Sequence, residues 1–516
     1  MDPDGPRVAT TTVDGVTTLW ADLDGDALGA LVVGGGARHL APTDAGLHHL
    51  VEHVVMHRVG RVSAEHNAVS GPDDVLFWAQ GSRADVTDFV QRVAAVLGGL
   101  DDVTPQEVDQ QRATILREVG VEALSVSPGP FAARWGAAGL GTVDLDHAAL
   151  AALGPEDVRR HARAWFVRDD ARLVLSFPPP DDLTLPLPPG ARPLLSPETP
   201  WDGPLPGLFI SPQDSVTLSF VVDAPRALAS LCAAVVEHAL LDDLRAARGL
   251  VYQVDRSVWG LGGGRYLVVL ATDPSSAQAA RVLLDACRAL RAIGTEGPQG
   301  DVLEHARAAF LAELGSQRGR RSMLLAAAGA DLAGREPVDP PAVFAAIRAA
   351  SADEVRETLR RAWPTTIATL PGGGDRPDAV ETALLDEVGL HPRGFVPLLL
   401  DDRRSVLRQL RHGSRRAVVR RRRGSLPFRG EEVWLGEREI AVPAAGGRLH
   451  VDDVVLVGED DDGRVQLVGR GGGSLVVEPG RLRRAKVPWD RFLAHVPPSA
   501  ARHRRTSSTS TDEARP

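Results

Sequence analysis

Apolar and polar residues along the first third of the chain fall into short runs and longer amphipathic stretches. Val16–Trp20 and residues 27–33 are rich in apolar and β-branched side chains and are bounded by Gly and Asp, which predicts strands. Residues 46–56 follow without a Pro or an internal Gly, apolar enough to form a buried helix. A strand is expected at 75–79 and a helix at 84–97. Thr104-Pro105 opens the next stretch as a helix N-cap and first-turn pair with acidic residues just behind it, so a long helix should run to Val119. Residues 151–166 predict another helix and 171–176 a closing strand. Strands and helices mix without a regular βαβ rhythm. The expected class is α+β, with helices against an antiparallel-rich sheet.

The pattern then starts again. Residues 178–206 are Pro-rich, beginning Pro178-Pro179-Pro180, and predict an extended, semi-rigid bridge between residues 13–177 and a second lobe at 207–370; a disordered tether stays open. The second lobe repeats the first in outline. It has a strand at 215–222, a helix at 228–244, and a hairpin at 251–271 turning at Gly262-Gly263-Gly264. Three helices lie between 276 and 334, with a helix at 352–362 and a strand near Ile367. Residues 371–430 form an Arg-rich connector ending in Arg420-Arg421-Arg422-Arg423. It suits nucleic acid, an anionic membrane or acidic partners, or simply a solvated face. Residues 431–497 show short alternating strands with Gly- and Asp-rich turns, a small β domain whose layout faintly resembles a pleckstrin-homology module. The tail, 498–516, is Ser-, Thr- and Arg-rich and is expected to be disordered.

Composition narrows the function classes. With 516 residues the chain has room for three domains. Its 58 basic and 68 acidic residues give a net charge of −10, which argues against a general nucleic-acid binder. Lys486 is the one lysine, so 58 − 1 = 57 of the basic residues are Arg and Arg runs carry less meaning than usual. The two cysteines, Cys232 and Cys287, lie in apolar helical segments and are expected as buried thiols, not a disulfide framework. No secretory leader and no membrane-length apolar run is visible, so a soluble cytoplasmic protein is expected.

The chemistry concentrates in the 46–56 helix. His49, Glu52 and His53 spell H-x-x-E-H. On a helix these positions are i, i+3 and i+4, so the three side chains share one face. Two imidazoles one turn apart can hold one zinc ion, and a carboxylate between them can take a proton from a water the metal activates. This is the H-E-x-x-H zinc-protease motif in reverse, the inverzincin pattern. A zinc site of this kind needs a third protein ligand and an open position. His48, His57 and His66 do not fall at ligand positions of the insulinase-type pattern this stretch resembles, and are expected as packing or surface residues.

The segments around the motif resemble the insulinase/pitrilysin-type metallopeptidases, nearest the bacterial and mitochondrial processing-peptidase branch. The 105–119 helix is similar to the family's third-ligand helix through Arg112, Ile115, Leu116 and Glu118. The family has a further Glu seven positions earlier, where this chain has Gln111. The resemblance implies Glu118 as the third metal ligand and Zn²⁺ as the cofactor. Residues 65–70 with the strand at 75–79 resemble the family's edge-strand region, where substrates lie as an added strand. Asn67 is then a substrate-backbone contact, or else a turn residue before a strand. In the second half, Arg245 and Tyr252, seven apart around Gly249-Leu250, resemble the family's second-domain signature. The chain holds only two Tyr, so one at that position is informative.

The resemblance spans about residues 13–370 and implies a clam shell of two similar lobes. It departs in its compact lobes, the short interval from motif to Glu118, and Gln111. It implies a zinc endopeptidase acting on peptides or unfolded segments. Glu52 would be the general base, Tyr252 the oxyanion donor and Arg245 a substrate anchor or support for Tyr252. Two alternatives stay open: a non-catalytic peptide-binding member or partner subunit, and a protease that matures one dedicated precursor peptide. The chain on its own, a homodimer or a pairing with another subunit are all compatible with these residues.

Overall fold

The structure, a computed structural model, describes residues 5–120, 128–193, 199–211, 213–371, 380, 383–393, 415–418, 432–442, 447–459, 463–482 and 486–500. The Arg420–Arg423 run and the tail beyond residue 500 lie outside the described residues.

The first sheet is built from β1 (Ala9–Val13), β2 (Val16–Trp20), β3 (Ala27–Gly34), β4 (Glu65–Ser70), β5 (Asp74–Gly81) and β6 (Ala171–Leu175), in the order β1-β2-β6-β3-β5-β4. Its pairs are antiparallel except β2 with β6. β3 sits inside the sheet and is buried along its whole length, which is why its sequence is an unbroken apolar run. Its odd positions, Leu31 and Val33, join a core with α1 (Leu47–Val59), α2 (Arg83–Leu97), α3 (Pro105–Val119) and α5 (Pro155–Trp165), through Leu50, Val51, Val54, Phe89, Ile115 and Val158. Between these last two helices lies the short α4 (Pro130–Trp135). Leu183, Leu185 and Leu187 of the Pro-rich bridge are buried in the same core, so this part of the bridge lines the first lobe without forming a helix or strand.

The second sheet repeats the first. Strands β7 (Gly207–Ser211), β8 (Val216–Asp223), β9 (Asp255–Gly262), β10 (Arg265–Thr272), β11 (Ile367–Pro371) and β12 (His391–Pro392) run in the order β12-β7-β11-β8-β10-β9. The pairing β7-β11-β8-β10-β9, one parallel step then three antiparallel, matches β2-β6-β3-β5-β4. The two lobes therefore share a topology although they share little sequence. Helices α6 (Arg226–Leu240), α7 (Ala279–Glu296), α8 (Val302–Gly315), α10 (Pro340–Ala349) and α11 (Ala352–Ala362) build the second core. Cys232 and Cys287 are buried free thiols within it, and burial pushes the Cys287 thiol up to about 12.

Each lobe lends a helix to the other. The remaining helix of the second half, α9 (Gln317–Leu332), lays Leu324, Ala327, Ala328 and Leu332 on the far face of the first sheet, against Ala30, Val32 and Val174. In return, Trp135 at the end of α4 and Leu140 pack on Leu267 and Val269 of β10. Arg335–Asp73 at 2.6 Å and the Arg172–Asp331 pair flank the α9 contact.

Two further sheets follow near the C-terminus. β13 (Arg415–Val418), β14 (Glu432–Leu435), β15 (Glu439–Val442) and β16 (Gly447–His450) form one; β17 (Val454–Glu459), β18 (Val465–Gly469) and β19 (Ser474–Val477) form the other. They share a core with α12 (Lys486–His495) through Leu435, Ile440, Leu467, Trp489 and Phe492. Leu456 and Val468 leave that core and pack instead on Ala45, Ala137, Leu145 and Ala149 of the first lobe.

Candidate metal centre and active site

Helix α1 is enclosed by the first sheet, α2, α3 and α5, so most of its faces are apolar. The exception is the strip carrying His49, Glu52 and His53, which opens into a recess of about 380 Å³ with Met56, residues 67–70 and Glu118. Helix α3 brings Glu118 there. Its start is fixed by a capping box between Thr104 and Glu107, with Pro105 in the first turn. Arg58, near the end of α1, then grips Glu107 through Nε (2.8 Å) and Nη2 (3.1 Å) and Asp102 through Nη1 (2.6 Å). The pinned end lies a helix length from Glu118.

The donor atoms converge. His49 Nε2 and His53 Nε2 are 3.1 Å apart, and His53 Nε2 is 3.3 Å from Glu118 Oε2. One donor atom from each of the three residues lies within 4.8 Å of the others. A tetrahedral zinc with bonds of about 2.0–2.1 Å separates neighbouring ligand atoms by about 3.3 Å, so the two printed edges have the size this ion requires. Two neutral nitrogens and one carboxylate are also the donor chemistry of a catalytic zinc site. Among the described residues this is the one group of three such side chains close enough to hold a metal.

Electrostatics prepare these groups differently. Burial lowers the His49 imidazole to about 4, reinforced by His53 and His147, which keeps it neutral and able to ligate. Burial also lowers His53, while Glu118 and a hydrogen bond that the ring donates to Gln111 pull it back up. Gln111 is 5% exposed, so the residue standing where the family has Glu contacts a candidate ligand directly. Glu52 is 8% exposed, with Oε2 4.0 Å from His49 Nε2. Burial lifts its carboxyl to about 7, with Glu118 adding to the rise and Ser70 opposing it through hydrogen bonds. Burial takes His48 to about 3, as suits a packing residue; His66 bonds Ala64 O at 2.8 Å.

Asn67 lines the same recess on β4, the outer strand of the first sheet, and its Oδ1 accepts from Ala68 N at 2.9 Å. Arg245 and Tyr252 are elsewhere. They meet each other, the guanidinium 5.4 Å from the ring centroid, with Arg245 inside a π-helical turn at Leu241–Ala247 and Tyr252 just beyond it. Tyr252 is 80% exposed, and neither residue lines the recess. A cavity of about 640 Å³ between the lobes is a third place, lined by Arg38, His39, Asp73, Trp165, Asp170 and Arg335 among others. One residue at the metal centre has no signal in the sequence pattern. His147 Nε2 lies 2.7 Å from His49 Nδ1, although 98 positions separate them.

No family model and no curated protein matches this sequence. Solved structures do. A protease from Helicobacter pylori is 12% identical with a TM-score of 0.58, over 71% of this chain and 99% of that one. A peptidase M16 inactive domain from Pseudomonas fluorescens is 13% identical with a TM-score of 0.56, over 72% and 100%. A chain of complex III2 from Candida albicans is 13% identical with a TM-score of 0.57, over 70% and 95%. This fold thus occurs in a protease, in an inactive peptidase domain and in a chain of complex III2. The protein has the two-lobed fold of the M16 peptidases.

Proposed function

We propose that the protein is a zinc-dependent endopeptidase of the insulinase type, acting on peptides or unfolded segments. One observation carries this reading: His49, His53 and Glu118 present donor atoms at zinc-ligand spacing beside a buried carboxylate, Glu52, in an open recess. His49, His53 and Glu118 would hold the ion. When bound, zinc supplies Lewis acidity, polarising the scissile carbonyl and making a water acidic near neutral pH. Glu52 does the proton work. Its carboxylate, tuned to about 7, accepts a proton from the attacking water and returns it to the leaving amine. Strand β4 offers an unpaired edge along which an extended peptide can add as a strand, with Asn67 at its middle.

Arg245 and Tyr252 would anchor substrate and donate to the oxyanion. To do so they must reach a recess they do not line. The helix exchange between the lobes resists a large hinge motion within one chain, so a second copy or a partner subunit is the better source. Among the described residues no helix is long and apolar enough to cross a membrane; a cytoplasmic location is part of this proposal.

The test is cleavage of a mixed peptide library, with zinc content measured on wild type and Glu52→Gln. Zinc in both and cleavage only in wild type is expected. The same exposed Arg245–Tyr252 pair favours a second reading, a non-catalytic peptide-binding or partner subunit. Zinc in both with cleavage in neither, even with a partner subunit added, would select it. Cleavage of a single neighbouring-gene precursor and nothing else in the library would instead mark a dedicated maturation protease.

A further inference from the structure

We propose that His147 is a positioning residue for the metal centre: it fixes the tautomer and orientation of His49 so that Nε2 faces His53 and Glu118. This rests on the zinc reading above. Imidazole carries one proton when neutral, so Nε2 can ligate only if that proton sits on Nδ1. Left alone, the pair in this site has a rival arrangement. His49 Nε2 and His53 Nε2 are 3.1 Å apart, close enough for one ring to donate to the other and satisfy both without a metal. His147 Nε2, 2.7 Å from His49 Nδ1, accepts the Nδ1 proton and so removes His49 as the donor in that pair, leaving its Nε2 a lone pair that a metal can take. The Asp146 carboxylate lies against His147 Nδ1 without the geometry of a hydrogen bond, and its negative charge favours the second ring's proton on that side, leaving the Nε2 lone pair for His49. The result is a carboxylate–imidazole–imidazole line ending at the metal position, with a second imidazole inserted where a ligand histidine usually meets the carboxylate itself.

The protein holds His147 from three sides. Gly46, immediately before α1, has φ +91°, and a Cβ there would stand 3.2 Å from His147 Cα, so the start of α1 presses on the His147 backbone. Arg112 of α3 donates to Leu150 O at 3.1 Å and to Leu153 O, tying down the turn that follows. Leu145 and Ala149, on either side of the Asp146-His147 pair, are buried against Leu456 and Val468 of the C-terminal sheets. Asp146 itself has φ +49°, an unusual conformation for a non-Gly residue that turns its carboxylate onto the neighbouring ring. His147 is 6% exposed.

The experiment uses the full chain with two readouts: zinc affinity by competition with a chromophoric chelator, and the visible spectrum of the Co²⁺-substituted protein. His147→Phe should weaken zinc by about 10- to 100-fold and alter the cobalt spectrum. His147→Gln, whose amide oxygen can still accept the Nδ1 proton, should recover most of the affinity. Wild-type affinity and an unchanged spectrum in His147→Phe would overturn the proposal. If that variant does not fold, Asp146→Asn decides, because Asn is at ease at positive φ and keeps the backbone. A smaller but measurable loss of affinity supports the role, and none overturns it. A wild-type chain that takes up no zinc or cobalt would sink the zinc reading itself, whereas metal-binding wild type with an indifferent His147→Phe sinks only the positioning role.

Discussion

At the scale of single residues the site is a set of groups whose surroundings push them apart. His49 is held near 4 by burial while Glu52 is lifted to about 7, so at neutral pH one is a ready ligand and the other is poised to take or give a proton. Gln111 is the residue where this chain departs from the pattern it resembles. It hydrogen-bonds His53 without supplying charge. A carboxylate at that position would make the imidazole more basic and a stronger ligand. Gln111→Glu should therefore tighten zinc by about tenfold. A chelator competition titration checks this, and an affinity that stays level or falls would show that the neutral amide is what the site requires.

At the scale of elements, helix α3 behaves as a lever pinned at one end. Glu107 caps its first turn and is held by Arg58, and that ion pair keeps its carboxyl at about 2, well below the usual range near 4.5. A lowered carboxylate stabilises the fold fully above the unfolded value and loses that contribution as pH falls towards the folded one. The stability gap between wild type and Glu107→Gln should thus be complete above about pH 4.5 and close by about pH 2. Urea midpoints at several pH values measure it, and a gap independent of pH would rule out the ion pair as its source. Most elements were legible because their signals are local. The Thr104-Pro105 start, the unbroken run of β3 and the hairpin at Gly262-Gly263-Gly264 announce themselves in a few residues. Helix α10, opened by Pro340-Pro341, carries a comparable signal that the periodic reading passes over. The His49–Glu52–His53 strip was legible from spacing alone, whereas the approach of Glu118 rested on a resemblance, since no periodicity brings positions 65 residues apart together. His147 was illegible for the same reason and had no motif to compensate.

At the scale of the whole molecule, the exchange of α9 for α4 packs a helix of each lobe onto the other's sheet, which should couple the two in one cooperative unit. The sequence pattern suggested two lobes and a bridge, because an apolar helix face does not say which sheet it will cover. Leu324, fully buried on the far face of the first sheet, tests this coupling. Leu324→Ala should cost about 2–5 kcal/mol and shift a single denaturation transition seen equally by probes in either lobe. A new early transition confined to one lobe would show that they unfold separately.

The docking of Leu456 and Val468 against the turn that carries His147 has a consequence in time as well as in space. During synthesis His49 leaves the ribosome hundreds of residues before β17 and β18 exist. Until they arrive, the nascent chain carries both imidazoles and Glu118 with only two of the three holds on His147 in place, those from Gly46 and Arg112. Its candidate metal site is complete in composition before its geometry is fully held. On the zinc reading proposed above, full affinity for the metal would be reached only at the last stage of biogenesis. On that reading a prematurely terminated chain would bind zinc more weakly than the full chain.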